Sequence, residues 1–382
     1  MVLCGADRIA EFAHFFTGRV ALLTSPTGRT RDNRSTIEVL KNHCDLILLL
    51  APEHGVRGDK PAGALFSDEL DEESRLPVRS LYTKDSKRLS RETLEKFDTL
   101  VYDIADVGCR YYTFISTLRY CMEDCAAAGK RLVVLDRPNP LGDRVEGGLL
   151  REDCASFVGS YPLPVCYGLT CGELARMMNG ELGCGCDLHI VPCGGLTRQM
   201  TFRDWNHYWV MPSLNIPRYE TALLYPGTCL FEGTNLSEGR GTADPFAIIG
   251  APYVRSEELA RAFNDLDCPG VIATPVYFTP TTSKHQGTLC GGIHLHITDE
   301  AGLEPVAMGV KLVDLLRRMY PEDFRLLPPF RKGGKHFLSL LAGHRDFENH
   351  DWDAEAILSR YAQEAEAFRA RKEPYEIYSK EN

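Results

Sequence analysis

Short apolar runs alternate with helical patterns along the first half of the chain. The clearest run, residues 46–51, is too short for a typical helix and is closed by Pro52, as expected of a strand that is buried on both faces. Similar runs predict further strands at residues 19–24, 99–104, 131–135 and 188–191. Their strand-helix-strand order predicts right-handed crossovers and an α/β fold built on a parallel sheet.

Helix signals occupy the segments between these runs. Ser35 with Glu38, and Thr170 with Glu173, have the spacing of capping boxes. Gly129 suits the C-cap of the helix that precedes the fourth predicted strand.

Three stretches do not follow the alternating pattern. Residues 56–80 are rich in Gly, Pro and acidic side chains and predict a surface excursion that could cover a site. Residues 205–209 combine two Trp and a Tyr with Asn and His, which suits a surface that stacks on sugars, although Trp is as often a core residue. Residues 225–242 are rich in Gly and polar groups and predict a binding loop rather than a core element.

Acidic side chains follow three of the predicted strands. Glu53 follows the run at 46–51, Asp103 and Asp106 follow the third strand, and Asp136 follows the fourth. The carboxyl ends of parallel strands meet at one edge, where open α/β sheets bind their ligands, so these acids predict a site there. Capping of the helices that follow is the alternative, and it remains open for Asp106 and Asp136.

The pattern changes after about residue 252. Residues 270–278 and 293–297 are strand-like, and residues 304–320 form an amphipathic helix pattern. We therefore predict two domains, residues 1–248 and 249–382, with the site at or near their interface. His294 and His296 alternate as on one face of a strand, which is a more common arrangement than a metal site.

The composition is that of a folded globular chain, with 382 residues of which 44% are hydrophobic and 25% charged. A formal charge of −10 argues against a nucleic-acid or anionic-membrane surface. No apolar stretch approaches the ~18 to 20 residues that a membrane-spanning helix needs. We expect neither nucleic acid nor membrane as a partner, and the oligomeric state is left open.

The fourteen cysteines lack the density and spacing of a disulfide scaffold, which favours reduced thiols in a cytosol. The group most similar to a metal-binding pattern comprises Cys184, Cys186, His189 and Cys193. It lacks the paired C-x-x-C knuckles of a structural zinc site, so no metal is expected. Residues 1–19 carry charged side chains unlike a secretory signal. We expect a cytoplasmic protein, and export would require a leader upstream of this start.

Common α/β functions lack their motifs. A nicotinamide dehydrogenase would carry a glycine-rich loop after the first strand, but residues 24–29 contain one glycine and a proline. Residues 239–241 lack the third glycine, and neither a Walker motif nor a G-x-S-x-G elbow occurs. No cofactor is therefore expected. Carboxylate chemistry remains, and burial at a crevice mouth would raise the pKa of Glu53 as a general acid requires.

Five motifs carry a resemblance to a known family, at residues 51–55, 103–113, 136–140, 212–217 and 232–242. On these motifs the chain resembles the bacterial exo-β-N-acetylmuramidases, the NamZ-like glycoside hydrolases, from about residue 19 to its C-terminus. The resemblance implies a Rossmann-like parallel-sheet domain with a second, smaller α+β domain. It also implies release of N-acetylmuramic acid (MurNAc) from non-reducing ends of peptidoglycan fragments such as MurNAc-β-1,4-GlcNAc. The family's catalytic glutamate falls on Glu53.

Other roles follow from the chemistry of this substrate. Arginine matches a carboxylate bidentately, so Arg110, Arg137 or Arg240 is predicted to bind the lactyl carboxylate that distinguishes muramic acid from glucosamine. Asp103 or Asp106 is predicted to act beside Glu53 by orienting water or the acetamido group.

The remaining predicted contacts are polar motif residues. Sugar hydroxyls and the acetyl carbonyl are assigned to Asn139, Asn215 and Asn235. Further substrate contacts are predicted at His54, Arg57, Tyr112 and Glu232. Retention, inversion and substrate assistance stay open, because they depend on carboxylate separation in space. The alternative function is a non-catalytic protein that binds amino sugars or muropeptides in the same crevice.

Overall fold

The computed structural model describes residues 1–52, 55–58, 69–81, 86–349 and 351–380. Its strands are β1 Arg19–Thr24, β2 Asp45–Ala51, β3 Glu69–Leu70, β4 Pro77–Ser80, β5 Thr99–Asp103, β6 Arg131–Leu135, β7 Val145–Glu146, β8 Cys166–Tyr167, β9 Asp187–Val191, β10 Ile248–Ala251, β11 Val271–Phe278 and β12 Cys290–Ile297. Its helices are α1 Thr36–Lys41, α2 Arg91–Leu94, α3 Phe114–Ala127, α4 Cys171–Leu182, α5 Tyr219–Thr228, α6 Ser256–Asn264, α7 Pro305–Met319, α8 Phe337–Ala342 and α9 Ala354–Lys372.

The larger sheet has the strand order β3-β4-β2-β1-β5-β6-β9. Every neighbouring pair in it is parallel except β3 with β4. Leu22 pairs with Leu49 on one side and Val101 on the other, and all three side chains are fully buried. Continuous apolar runs suit strands whose two faces are both covered, so the parallel sheet predicted from the sequence is confirmed.

The prediction of an irregular excursion at residues 56–80 is wrong for the part that forms the β3-β4 edge of this sheet. Part of the excursion predicted at residues 56–80 is regular, because β3 and β4 extend the sheet there. Val78 of β4 pairs with Leu49 of β2 and is buried. One buried valine in a four-residue strand leaves no readable alternation in the sequence. Residues 59–68 lie outside the described residues.

Helix caps follow the sequence at two of three predicted positions. The Thr170 hydroxyl accepts from the Glu173 N–H at 3.2 Å and the Glu173 carboxylate accepts from the Thr170 N–H at 3.0 Å, which confirms the capping box of α4. Gly129 follows α3 with φ +62°, a left-handed conformation that favours glycine. Ser35 instead caps α1 through the Ile37 N–H, so the box predicted with Glu38 is wrong.

Residues 225–239 are largely buried, so the prediction that this stretch is not a core element is wrong, whereas its role in binding stays a prediction. Pro226 lies inside α5 and Phe231 is fully buried. A Cβ on Gly227 would lie 2.0 Å from the Pro305 carbonyl oxygen. The glycine that suggested a loop therefore permits α5 to approach α7 closely.

The second sheet is antiparallel, with the order β10-β12-β11, and α6 packs against β11 and β12. His294 and His296 share one face of β12 with ring centroids 4.3 Å apart, which confirms their predicted placement on a strand. The smaller α+β unit is thus confirmed. The predicted boundary between residues 248 and 249 falls at the first residue of β10 and stays a prediction. None of the described helices combines the length and the apolar character that crossing a bilayer requires.

Candidate active site

The carboxyl ends of β1, β2, β5 and β6 lie at one edge of the larger sheet. β2 ends at Ala51, whereas Glu53 and His54 lie outside the described residues. On either side of that gap, the Gly55 N–H donates to the Pro52 carbonyl at 3.2 Å. The strand that leads to Glu53 therefore ends at the predicted edge.

A cleft opens at this edge, with about 660 Å³ of empty space including its mouth. The turns after β1, β5 and β6 line one part of it, and residues 202–212 line another. Trp205, Tyr208 and Trp209 of that segment belong to the aromatic stretch that the sequence analysis singled out. The cleft therefore combines flat apolar surfaces with the polar turns of the sheet edge.

Asp103 and Arg137 form a buried ion pair at the cleft. Arg137 Nε lies 2.6 Å from Asp103 Oδ1, and Arg137 Nη2 lies 3.0 Å from Oδ2. Burial would lower the pKa of Arg137, but the Asp103 charge raises the pKa above its usual value. Because the two charges neutralise each other, we assign the pair a positioning role rather than the predicted contacts with substrate.

Asp106 is also buried, but only one of its carboxyl oxygens is engaged. Oδ2 accepts from the Tyr167 hydroxyl and, at 2.7 Å, from the Gly108 N–H. Oδ1 has no hydrogen-bond partner among the described residues. Burial raises the pKa of Asp106 to about 7, and the hydrogen bonds oppose that rise. Since Oδ2 already accepts two bonds, the proton of the neutral form belongs on Oδ1.

The raised pKa of Asp106 predicts a pH-dependent stability. The folded protein keeps the Asp106 proton up to about pH 7, whereas the unfolded chain releases it near pH 3.8. The contribution of Asp106 to the free energy of unfolding therefore falls as pH rises through this window, by at most about 1.4 kcal/mol per pH unit. We expect Asp106→Asn to remove that slope in urea unfolding between pH 4.5 and 7.5.

Asp98 provides the matched control for this measurement. Its hydrogen bond with Arg19 holds the pKa of this half-exposed carboxyl below the ordinary value. Asp98→Asn should therefore leave the slope in the same window unchanged. Parallel stability curves for the wild type and Asp106→Asn would contradict a raised pKa at Asp106.

Asp136 caps a helix, as one reading of the sequence proposed. Its Oδ1 accepts from the Gly172 N–H at 2.8 Å, in the first turn of α4. Its Oδ2 accepts from the hydroxyls of Thr170 and Tyr378 at 2.7 and 2.5 Å. Burial raises the pKa of Asp136 to about 6. The bonds to α4 account for this acid without a substrate.

Two predicted arginine contacts are engaged with the protein. Arg57 pairs bidentately with Asp71 at 3.0 and 2.9 Å. Arg110 is almost fully buried and donates to three backbone carbonyls at 2.6 to 2.8 Å. Because these carbonyls come from distant parts of the chain, Arg110 ties the loop after β5 to its surroundings. We therefore do not include it among the proposed substrate contacts.

Two predicted asparagine contacts are engaged in the same way. Asn139 donates to the Leu169 carbonyl at 3.0 Å and accepts from the Leu141 N–H at 2.9 Å. Asn235 Nδ2 donates to the Asp323 carbonyl at 2.9 Å, and Asn235 Oδ1 accepts from the Arg325 N–H at 3.0 Å. Asn215 is half-buried in the segment between the cleft and α5. The structure thus does not bring the three asparagines together at the cleft.

Glu232 and Arg240 belong to a second charged group, here called the ion cluster, with Glu238 and Lys284. Arg240 lies 2.5 Å from Glu232 and 3.2 Å from Glu238. Lys284 Nζ lies 2.8 Å from Glu238. Burial raises the pKa of Glu232, and Arg240 opposes the rise. The sequence analysis missed Glu238 and Lys284, because Lys284 lies on a later loop with no local signal.

Tyr112 connects the loop after β5 with the ion cluster. Its ring meets Tyr225 edge-on at 5.9 Å, and Tyr225 meets Phe246 at 4.8 Å. The Arg240 guanidinium lies 5.1 Å from the centre of the Phe246 ring. Tyr112 therefore packs in an aromatic row that leads to Arg240, and its predicted substrate contact stays a prediction.

The cleft also includes side chains that the sequence analysis did not assign to a site. Thr27 lines it and holds the loop after β5 by accepting from the Ala105 N–H at 3.0 Å. Cys4 lines it as well, and burial raises the pKa of this thiol to about 12. His207 lines the cleft together with Trp205, Tyr208 and Trp209, its neighbours in the aromatic stretch at residues 205–209. Across the described ranges, no three His, Cys, Asp or Glu side chains are grouped so that they could hold a metal ion.

These features define an α/β protein with a carboxyl-bearing crevice at the edge of a parallel sheet, a type of site that suits a small polar ring such as a sugar. The sequence model of the N-terminal part of the exo-β-N-acetylmuramidase NamZ family matches residues 20–220. The model of its C-terminal part matches residues 223–378. The chain belongs to this family, which confirms the resemblance found in its motifs.

Individual relatives agree with this assignment. The chain is 41% identical over 366 residues to the peptidoglycan β-N-acetylmuramidase NamZ of Bacillus subtilis (strain 168), covering 94% of this chain and 87% of that protein. A crystal structure of a DUF1343 family protein from Bacteroides fragilis NCTC 9343 has a TM-score of 0.89 and 32% identity, covering 99% of both chains. A second such protein from the same strain has a TM-score of 0.79 and 30% identity over the whole of both chains.

Proposed function

We propose that this chain is an exo-acting glycosidase that releases MurNAc from the non-reducing ends of peptidoglycan fragments. The observation that carries the proposal is its 41% identity, over 94% of its length, to a protein named as a peptidoglycan β-N-acetylmuramidase. The cleft agrees with this chemistry, because aromatic surfaces suit sugar rings and the sheet edge supplies carboxyl groups.

Glycoside cleavage needs an acid that protonates the leaving oxygen and a second group that supports the oxocarbenium-like centre. We assign the first role to Glu53, which follows the end of β2. Asp106 is the better candidate for the second role, because Asp103 is neutralised by Arg137, whereas one oxygen of Asp106 has no partner in the described part of the chain. β2 and β5 both pair with β1. Their ends are thus about 10 Å apart, within reach of one sugar ring for two acidic side chains.

Two disaccharides of opposite order test the proposed activity. The purified protein should release free MurNAc from MurNAc-β-1,4-GlcNAc and should leave GlcNAc-β-1,4-MurNAc uncut, because an exo enzyme reads the non-reducing sugar. Chromatography of the products at several times gives the answer. Cleavage of both disaccharides would contradict the specificity for MurNAc.

Binding without cleavage is the other informative outcome of that experiment. A protein that binds MurNAc-β-1,4-GlcNAc in calorimetry but leaves it intact over hours would be a muropeptide-binding module. Such a result would remove the catalytic roles of Glu53 and Asp106 and would retain the cleft as a binding site.

We also propose a cytoplasmic location. All fourteen cysteines are free thiols, as expected in a reducing compartment. A cytoplasmic enzyme of this specificity would act on imported wall fragments during muropeptide recycling.

A further inference from the structure

Three buried polar atoms that line the cleft have no hydrogen-bond partner among the described residues. They are Asp106 Oδ1, Trp205 Nε1 and His207 Nε2. A buried polar group without a partner costs about 1 to 3 kcal/mol, so native structures rarely gather several of them in one place. A ligand that supplies the missing partners accounts for the group.

The chemistry of the three atoms restricts that ligand. Trp205 Nε1 can only donate, so the ligand must present an acceptor to it. His207 Nδ1 lies 3.0 Å from the Tyr208 carbonyl, which can only accept. The proton of the neutral ring is therefore on Nδ1, and Nε2 requires a donor from the ligand. Asp106 Oδ1 accepts when ionised and donates when neutral. The ligand group must thus be donor and acceptor at once.

The cleft lining also has an apolar part. Pro138, Pro140, Val210 and Pro212 line the same cleft as the three polar residues, as do Thr27, Arg29 and Arg137. An acetamido group has one N–H, one carbonyl and one methyl group, and it therefore matches both parts of this surface. A carboxylate offers acceptors only, so it cannot supply the donor that His207 Nε2 requires.

We infer that this end of the cleft, here called the acyl subsite, binds the 2-acetamido group of the substrate's non-reducing sugar, with Trp205 Nε1 donating to its carbonyl. The inference deepens the proposed function and rests on it. His207 Nε2 accepts from the amide N–H. Asp106 Oδ1 shares that N–H when it is ionised and donates to the carbonyl when it is neutral, and the prolines contact the methyl group. The lactyl carboxylate then lies outside the acyl subsite. Trp205 and His207 become specificity-determining residues that the sequence motifs do not include.

The test compares the affinities of two ligands, MurNAc and 3-O-lactylglucose, which carries a hydroxyl in place of the acetamido group. Calorimetry should show that the wild type prefers MurNAc. We expect Trp205→Phe, which keeps the ring but removes the N–H, to reduce this preference about tenfold, the effect of one lost hydrogen bond.

Trp209→Phe is the matched control, because Trp209 lines the same cleft but its Nε1 already donates to the Ile216 carbonyl at 3.1 Å. This variant should keep the wild-type preference even if its stability falls. An unchanged preference in Trp205→Phe, or an equal loss in both variants, would overturn the acyl subsite.

A measurement on the wild type avoids dependence on variants that fail to fold. The chain has three tryptophans, so three indole N–H signals are expected in a ¹⁵N NMR spectrum. MurNAc should shift the Trp205 signal, and 3-O-lactylglucose should shift it less. Failure of the proposed function can be distinguished from failure of the acyl subsite. If the wild type prefers MurNAc to 3-O-lactylglucose but cleaves no disaccharide, the proposed function fails and the acyl subsite is retained. Binding of MurNAc that leaves the Trp205 signal in place rejects it.

Discussion

Replacing Glu53 by glutamine is expected to lower the rate of MurNAc release at least about a hundredfold, since a positioned general acid contributes about 10²- to 10⁴-fold. Glutamine has nearly the same shape but has no proton to give to the leaving oxygen. The melting temperature should stay at the wild-type value. The comparison uses initial rates on MurNAc-β-1,4-GlcNAc at saturating substrate, so that the effect appears in kcat.

Glu92→Gln is the control for this variant. Glu92 is exposed on α2, where it pairs with Arg79. Its replacement should change neither the rate nor the fold. If Glu53→Gln cleaves the disaccharide at the wild-type rate, the general acid is another group. If Glu53→Gln instead lowers the melting temperature and keeps its activity, Glu53 has only a structural role.

Replacing Arg137 by methionine is expected to lower the free energy of unfolding by about 3 to 5 kcal/mol. The physical reason is the charge that remains, because Asp103 is fully buried and loses both of its bonds to the guanidinium. Leaving a buried charge without its partner has a cost of this size, about 3 to 5 kcal/mol in other proteins. Chemical denaturation of the wild type and the variant at pH 7 measures the difference.

Two further variants make this prediction specific. The double variant Arg137→Met with Asp103→Asn removes both charges and should recover part of the lost stability. Arg19→Met breaks the pair with Asp98 at the opposite end of the same strands, where both side chains are about half exposed. That variant should lower the stability far less than Arg137→Met, because solvent screens the pair. A similar loss in Arg137→Met and Arg19→Met would show that burial of the Asp103 charge is not the cause.

Five of the seven strands of the larger sheet, all except β3 and β4, could be predicted from the sequence, as could the edge at which the strands end in acidic turns. Runs such as residues 46–51 are apolar throughout, and this local property is enough to predict a strand buried on both faces. Once the strands are parallel, chain direction alone places the carboxyl ends of β2, β5 and β6 on one edge. The family motifs add the assignment of Glu53.

The roles of the charged side chains could not be predicted in the same way. Arg137 was one of three arginines predicted as alternatives for a substrate carboxylate, but in the structure it pairs with Asp103, which is 34 residues earlier in the chain. Arg240 is likewise held by the ion cluster, which includes Lys284 from a later loop. An arginine suited to a substrate carboxylate is equally suited to a protein carboxylate, and only the three-dimensional neighbours distinguish the two.

The sequence by itself therefore determined the α/β class, the parallel order of the main strands and the family, because hydrophobic pattern and motif order are properties of neighbouring residues. Only the tertiary structure decided that Asp136 caps α4, whereas one carboxyl oxygen of Asp106 finds no partner within the ranges that the structure describes. It also decided that residues 225–239 are largely buried and that Trp205 and His207 line the cleft. The physical reason is that burial and pairing depend on groups distant in the chain, and these set both the pKa of an acid and the hydrogen bonds left for a ligand.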